Sequence, residues 1–297
     1  MKFSLGICAY NEEKNIGILL NSVINQKTKN EFEEIIVVSS GCKDRTEDIV
    51  KEIAKKDKRI TLIVEKERNG KPSAVNKILR QNKSEIIIFT DGDALPAKGS
   101  FDILVDSFKP GIGAVSSRVI TLDDKNFLWD YIAKYRYRMF HKINSWENEK
   151  RTYFHTSGYL YAFRKEIISE IPDILNDDGY IGSMIFKKGW RVFYQPKSKV
   201  YIRHPNNLKE FVSQRVRVRL AHLQLMEISG LEMASTNSLT LFNAFFTSMG
   251  SNPFMWPVMP FFALVEIYCV IKAKRDYKKE ISTTGNWESL ASPKKLK

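Results

Sequence analysis

The sequence contains few cysteines and lacks the spacing that marks a disulfide framework or a zinc site. Three cysteines occur in 297 residues, Cys8, Cys42 and Cys269, and they lie far apart in the chain. A reducing compartment is therefore expected. The first eight residues also lack a basic stretch followed by a long apolar run, so no signal peptide is expected.

The phosphate-binding turns of dehydrogenases and P-loop proteins are absent as well. The first apolar segment ends in Ala9-Tyr10-Asn11-Glu12, where a dinucleotide-binding fold would carry G-x-G-x-x-G, and no Walker A segment occurs. Internal repeats and low-complexity segments are missing. If the chain binds phosphates, it must hold them in another way.

Acidic residues are in the minority. Lys and Arg number 47 against 34 Asp and Glu, which gives a net charge of +13 at pH 7. A basic excess suits nucleic acid, an anionic membrane surface or a phosphorylated substrate, and it does not choose among them. The hydrophobic share of 43% suffices for one large domain or for one domain with an appendage.

Apolar strands and amphipathic helices alternate over about the first third of the chain. Strands are predicted at 2–9, 32–38, 60–64 and 86–89, with helices between them. This order indicates an α/β protein with a Rossmann-like, mostly parallel sheet and right-handed crossovers. Ligands of such sheets bind at the carboxyl ends of the strands.

Two carboxylates stand at the end of the fourth predicted strand. Asp91-Gly92-Asp93 directly follows an apolar run, and Gly92 allows a sharp turn between the two acids. Hard oxygen ligands in this position suit Mg²⁺ or Mn²⁺ carrying a diphosphate. The alternative is an ordinary polar turn after a strand.

Five stretches together resemble the family-2 inverting glycosyltransferases of the GT-A fold. In chain order they are Ala9 to Glu12, Ser39 to Thr46, Gly70 to Asn76, Thr90 to Asp93, and Asn176 to Gly179 ahead of Lys188 to Val192. The resemblance covers roughly residues 1–225. It implies a GT-A sheet flanked by helices and transfer of a sugar from a nucleotide-diphosphate sugar with Mg²⁺ or Mn²⁺.

The same resemblance assigns roles to donor-side residues. It implies nucleotide-sugar binding by Ala9, Tyr10, Glu12, Ser39, Lys71, Asn76, Asp91 and Gly92. Asp93 is expected to hold the metal, and Asp178 is expected to be the catalytic base that deprotonates the acceptor. Ser39 replaces the Asp with which the family usually reads the base, so the choice between UDP and GDP stays open.

Acceptor or diphosphate contacts are expected further along the chain. The resemblance implies them for Gly158, Asp177, Gln214, Arg215 and Arg217. The stretch from Gln214 resembles the Q-x-x-R-W motif of processive and lipid-linked members, with Val in place of Trp. An acidic pair before a helix could alternatively serve the helix dipole alone.

A helix predicted over 126–143 interleaves aromatic and basic side chains. Three interpretations stay open: an RNA-binding face, a membrane-interface helix, or an ordinary helix whose aromatics belong to the core.

The composition changes after Ser238. Residues 239–246 and 254–271 are mostly apolar, and basic residues follow between Lys272 and Lys279. The second apolar segment is shorter than the ~20 residues that span a bilayer, so an interfacial or re-entrant segment is expected. Basic residues beside it favour the cytoplasmic side of the cell membrane. A buried hairpin against a partner subunit is the alternative.

The predicted domain division is a GT-A domain over 1–225 and a helical, membrane-associated region with a basic tail over 226–297. The donor half is expected at about 1–120 and the acceptor half at about 121–225. The predicted acceptor is a hydroxyl or phosphate, lipid-linked or part of a glycan, met at a membrane surface, with no nucleic acid involved. The alternatives are a nucleotidylyltransferase and a basic nucleic-acid-binding protein.

Overall fold

A computed structural model describes residues 1–153, 156–231, 238–248, 256–279 and 296. The strands in these residues are β1 Lys2–Ala9, β2 Glu31–Ser40, β3 Ile60–Glu65, β4 Ile86–Asp91, β5 Ala94–Pro96, β6 Ile112–Thr121, β7 Leu160–Arg164 and β8 Arg191–Ile202. The helices are α1 Ile16–Ile24, α2 Thr46–Ala54, α3 Gly70–Gln81, α4 Ser100–Val105, α5 Phe127–Lys150, α6 Asp177–Lys187, α7 Leu208–Ser229, α8 Ser238–Ser248 and α9 Val258–Lys278. A short 3₁₀ turn occupies Lys165–Ile167.

All eight strands form one sheet in the order β3-β2-β1-β4-β7-β6-β8-β5. The first four strands are parallel, as the sequence predicts, but β7 runs antiparallel to both β4 and β6, and β5 runs antiparallel to β8. The expected mostly parallel sheet is therefore corrected to a mixed one.

The short strand β5 was not predicted from the sequence. Residues Ala94–Pro96 pair with β8 at the outer edge of the sheet. Proline is tolerated there because an edge strand need not donate its backbone N–H to a neighbour.

Strand β4 is buried on both faces, as its apolar run predicts. Ile86 and Ile88 pack into one cluster with α1, α2 and α4, whereas Ile87 and Phe89 pack into a second cluster with α3 and α6. All four side chains are at most 2% exposed. The alternation of faces along a strand thus anchors β4 in the centre of the sheet and fixes the position of Asp91 at its end.

Helices α5, α7, α8 and α9 pack beside the acceptor half. The aromatic side chains of α5 belong to this packing: Trp129 contacts Phe211 and Phe262, and Tyr135 contacts Phe245. The core interpretation of these aromatics is confirmed. Helix α7 continues through residue 225 to Ser229, so the predicted domain boundary falls inside a helix.

In the described part of the C-terminal region, no helix is long and apolar enough to cross a membrane. The lysines at 294, 295 and 297 and residues 254–255 lie outside the described residues.

Candidate active site

A cleft of about 440 Å³ opens at the carboxyl ends of β1, β2 and β4. Helices α3 and α6 border it on one side, and α5 and α7 border it on the other. Most residues expected at the site from the sequence line this cleft: Ala9, Tyr10, Glu12, Lys71, Asp91, Gly92, Asp93, Gly158, Asp177, Asp178, Gln214 and Arg217. Motifs that lie up to two hundred residues apart in the chain therefore meet in one place.

Lys71 joins the donor and acceptor sides of the cleft. Its Nζ lies 2.9 Å from Oδ1 of Asp91 and 3.4 Å from Oδ2 of Asp177. Burial alone would lower the pKa of Lys71, but Asp177, Asp91 and Asp178 outweigh it and raise that pKa well above its usual value. The lysine is therefore a permanent cation between two carboxylates.

Asp177 and Asp178 begin helix α6. Asn176 caps the helix, since its side chain accepts a hydrogen bond from Gly179 N at 3.0 Å. Thr156 donates to the backbone oxygen of Asp178 at 2.5 Å, and Tyr153 donates to that of Gly179 at 3.1 Å. These bonds hold the backbone from which the two carboxylates project.

Burial raises the pKa of both carboxyls to about 6, although Lys71 counteracts it. Asp177 is 4% exposed, and Asp178 is half-buried at the cleft wall. The negative charge of Asp178 raises the pKa of Asp177 further, and that of Asp91 raises the pKa of Asp178 further. A carboxyl with a pKa near neutrality is a better base than an ordinary aspartate.

Two glycines make room at the cleft. A Cβ at Gly158 would lie 3.2 Å from Oδ2 of Asp178, so the backbone there passes directly against that carboxylate. A Cβ at Gly92 would lie 2.9 Å from Cγ of Glu12. Side chains at either position would displace one of the acidic groups.

The first and second strand turns are tied together. The backbone N–H of Glu12 donates to Thr46 Oγ1 at 2.7 Å, and Asn15 donates to Glu12 Oε2 at 2.9 Å. Arg68 was not predicted from the sequence, yet its guanidinium lies 4.0 Å from the centre of the Tyr10 ring and lines the cleft. Its position next to the Asn69-Gly70-Lys71 segment is the one signal that could have drawn attention to it.

Three predicted residues, Ser39, Asn76 and Arg215, do not line the cleft. Ser39 is fully buried and donates to Glu47 Oε1 at 2.6 Å. Asn76 exchanges two hydrogen bonds with the backbone of Ile171, at 2.8 and 2.9 Å. Their neighbours Ser40 and Ala74 reach the cleft instead.

Arg215 was expected to contact acceptor or diphosphate, but it does not line the cleft. Its guanidinium forms a bidentate ion pair with Glu266 of α9, at 2.5 and 2.9 Å. Arg219 lies one helical turn further and contacts the same carboxylate at 3.5 Å. Arg217 points to the other side of α7 and reaches the cleft, because residues two apart on a helix face different directions.

Arg136 of α5 is a second cleft residue that was not predicted. It donates through Nη1 to His204 Nε2 at 2.9 Å and to Gln214 Oε1 at 3.2 Å. The sequence pattern noted this arginine only as one of several basic residues among aromatics. Nothing in that pattern separates a buried arginine from exposed neighbours such as Arg138.

The donor set of the cleft fits a hard divalent cation with few protein ligands. Asp91 and Asp93 flank one tight turn and offer only oxygen atoms. Among the described residues there is no group of three or more His, Cys, Asp or Glu that could enclose a metal. Mg²⁺ and Mn²⁺ sites of this kind take their other ligands from water and substrate phosphates.

A parallel half-sheet with acids at its strand ends, continued by an acceptor half of mixed strand direction, defines a GT-A-like fold. The model of Glycosyl transferase family 2 matches residues 4–171, more than half of the chain, so the protein belongs to that family. The inverting-glycosyltransferase class expected from the sequence motifs is confirmed by this family match.

Curated relatives carry the same domain inside longer chains. Poly-beta-1,6-N-acetyl-D-glucosamine synthase of Staphylococcus aureus is 23% identical over an alignment of 218 residues, which covers 71% of this chain and 52% of that protein. Probable glycosyltransferase YdaM of Bacillus subtilis is 27% identical over an alignment of 229 residues, which covers 73% of this chain and 54% of that protein. The chain thus spans about half the length of these relatives.

Solved structures share the fold at low identity. The mannosyltransferase PcManGT from Pyrobaculum calidifontis, in complex with GDP-Man and Mn²⁺, has a TM-score of 0.70 and 22% identity, over 94% of this chain and 88% of that one. Glucosyl-3-phosphoglycerate synthase from Mycobacterium tuberculosis, in complex with Mn²⁺, UDP and glucosyl-3-phosphoglycerate, has a TM-score of 0.55 and 20% identity. The match covers 78% of this chain and 81% of that one.

Proposed function

We propose that the protein is a metal-dependent inverting glycosyltransferase. It moves a sugar from a nucleotide-diphosphate sugar to a hydroxyl or phosphate acceptor, lipid-linked or glycan, at the cytoplasmic face of a membrane. One observation carries this proposal: Asp178, with a pKa raised to about 6, stands across one cleft from the acids that follow β4. Membership of the family and the nucleotide-sugar complexes of its structural neighbours support it.

The transfer is a single displacement. The acceptor oxygen forms a bond to the anomeric carbon while the bond from that carbon to the diphosphate oxygen breaks. The proton of the acceptor hydroxyl moves to a carboxylate oxygen of Asp178, and the nucleoside diphosphate leaves with the electron pair. Lys71 keeps Asp178 ionised, since its charge counteracts the burial that raises the pKa of this carboxyl.

Asp93 is the expected metal ligand, with Asp91 beside the ribose or the hydrated ion. Lys71 Nζ lies 2.9 Å from Oδ1 of Asp91, so this carboxylate already has a cationic partner. A divalent cation bound there stabilises negative charge on the departing diphosphate. The Mn²⁺ complexes of proteins with the same fold are consistent with this assignment.

The membrane proposal rests on the outer face of α9. Leu264, Ile267 and Ile271 are 65%, 55% and 62% exposed, although the opposite face of the helix packs on α7. Basic residues from Lys272 to Lys279 continue the same helix. An apolar stripe flanked by cations suits a helix that lies in the interface of an anionic membrane.

The experiment that tests this function measures the products released from UDP- and GDP-sugars with Mn²⁺, with water as the surrogate acceptor. Release of UDP or GDP is expected. Asp178→Asn keeps the shape of the side chain and removes the base, so the release rate should fall by ~10²–10⁴-fold while the affinity for UDP or GDP stays unchanged. The same change at Asp177 should reduce the rate less, because this carboxylate is buried behind Lys71.

Two results would contradict the proposal. Pyrophosphate release from a sugar phosphate and a nucleoside triphosphate would identify a nucleotidylyltransferase instead. Near wild-type turnover by Asp178→Asn would show that another group is the base.

A further inference from the structure

Arg136 is a buried cation that faces the cleft. Its side chain is 8% exposed, and it lines the cleft beside Tyr137 and Phe140. Its guanidinium lies over the rings of these two aromatics at 5.7 and 5.3 Å. Both hydrogen bonds it donates use Nη1, and Nε has no hydrogen-bond partner.

Neither of its two hydrogen-bond acceptors is charged. An arginine only donates, so Nε2 of His204 must accept, and Nδ1 therefore carries the proton that is donated to Pro205 O at 2.9 Å. Burial and the charge of Arg136 lower the pKa of His204 to about 3, which keeps this imidazole neutral. The second acceptor, Gln214, is an amide.

Arg215 provides a direct comparison within the same chain. It is equally buried, at 4% exposure, but a carboxylate of Glu266 holds it in two hydrogen bonds. No carboxylate of the described residues lies within ion-pair distance of Arg136. The pKa values follow this difference: Glu266 raises that of Arg215 despite its burial, whereas burial and Arg215 lower that of Arg136 to about 10 although the more distant Glu266 counteracts them.

A buried charge without a counter-ion destabilises a folded protein. A protein that retains such a charge at a cleft wall has a reason outside folding, and an anionic ligand is the simplest one. Arg217 of α7 lines the same cleft, and among the described residues it also has no carboxylate partner. Two guanidinium groups facing one cavity match the oxygen geometry of a phosphate.

We propose that Arg136, held by His204 and Gln214 and assisted by Arg217, forms a phosphate-binding subsite in the acceptor half of the cleft. The phosphate belongs either to the acceptor substrate or to the diphosphate of the donor. This inference deepens the proposed glycosyltransferase function and rests on it for the identity of the substrates. The presence of the subsite itself can be tested without turnover.

The first experiment compares the thermal stability of three variants without ligand. Arg136→Met removes a buried charge that has no ion-pair partner but leaves Nε2 of His204 and Oε1 of Gln214 without a donor, so its melting temperature should fall by less than that of Arg215→Met. Arg215→Met removes the bidentate partner of Glu266 and leaves it only the longer contact with Arg219, so the melting temperature should fall by several degrees. Arg138→Met, an exposed position on the same helix, is the matched control and should change nothing.

The second experiment titrates inorganic phosphate, UDP and GDP, the nucleotides with Mn²⁺, into the wild type and the same variants by calorimetry. Arg136→Met should weaken one of these ligands by about tenfold or more, as expected when a charge-assisted hydrogen bond is lost. Weaker nucleotide binding assigns the subsite to the donor diphosphate. Unchanged nucleotide binding together with lost phosphate binding at saturating UDP or GDP assigns it to the acceptor.

Two results would overturn the inference. Arg136→Met could keep wild-type affinity for phosphate and for both nucleotides, or it could lose as much stability as Arg215→Met, which would identify a structural arginine. If the wild type instead binds phosphate through Arg136 but neither binds nor cleaves any nucleotide sugar, the subsite stands and the proposed glycosyltransferase function fails.

Discussion

Replacement of Lys71 by Met tests how the cleft controls the protonation of its acids. In the structure, Lys71 favours the ionised form of Asp177 and Asp178, whose pKa values burial raises to about 6. Without the lysine, the pKa of the pair should rise further. At pH 7 the base would then be mostly protonated, and the rate of transfer should fall.

The size of the shift follows from the 3.4 Å between Lys71 Nζ and Asp177 Oδ2. Two unit charges at this distance attract by ~5 kcal/mol at an effective dielectric constant of about 20 and by ~1 kcal/mol in bulk water. The lysine side chain is 31% exposed, so the value lies between these limits. Since about 1.4 kcal/mol corresponds to one pKa unit, the pKa of the acidic pair should rise by ~1–3 units. The acid limb of the pH–rate profile should move by the same amount.

The assay is the pH dependence of kcat/KM for release of nucleoside diphosphate, measured from pH 5.5 to 9.5. With the pKa raised from about 6 by ~1–3 units, Lys71→Met should lose roughly 2- to 90-fold at pH 7 and recover much of that loss above pH 8.5. A weaker affinity for the donor would lower the whole profile without moving its acid limb. Lys55→Met, an exposed lysine at the end of α2, is the control. An acid limb that stays in place would refute the electrostatic role given to Lys71.

Three further predictions concern the metal, the buried acid and the membrane face. Asp93→Ala should lower the affinity for UDP or GDP with Mn²⁺ to the value that the wild type has in EDTA, and an unchanged calorimetric affinity would exclude this ligand. Asp177 has a folded-state pKa of about 6, above its unfolded value, so its ionisation reduces stability as the pH rises through 6. Asp177→Asn should therefore raise the melting temperature more at pH 8 than at pH 4.5, and equal changes at both would contradict the shift. Paired Leu264→Glu and Ile267→Glu substitutions should abolish flotation with anionic liposomes, whereas Val64→Glu, at an exposed apolar position on β3, should not. Undiminished flotation of the pair would place the attachment elsewhere.

The first half of the sheet was predictable because its information is local. An apolar run such as Ile86 to Phe89 defines a strand, and parallel strands bring their carboxyl ends to one edge whatever the details of packing. The acids of β4 and the motif that ends β1 therefore met as expected. The direction of β7 was not predictable, since it depends on a pairing with β4 between residues some seventy positions apart.

The errors within the site have the same origin. Arg215 looked like a cleft residue because its motif was read without Glu266, which lies 51 residues further along the chain. Arg136 was overlooked because burial, not residue type, distinguishes it from Arg138. Similarly, the hydroxyl of Ser39 is engaged by Glu47 of the next helix, a contact that no pattern of single residues records.

The antiparallel pairing of β4 with β7 has a mechanical consequence. Thr90, next to Asp91, donates to the backbone oxygen of Tyr159 at 2.8 Å, and Tyr159 follows Gly158. The span between the metal-side acids and the acceptor-side glycine is therefore set by a continuous ladder of backbone hydrogen bonds. Such a ladder is rigid and does not act as a hinge. The distance from leaving group to acceptor is therefore set when the protein folds.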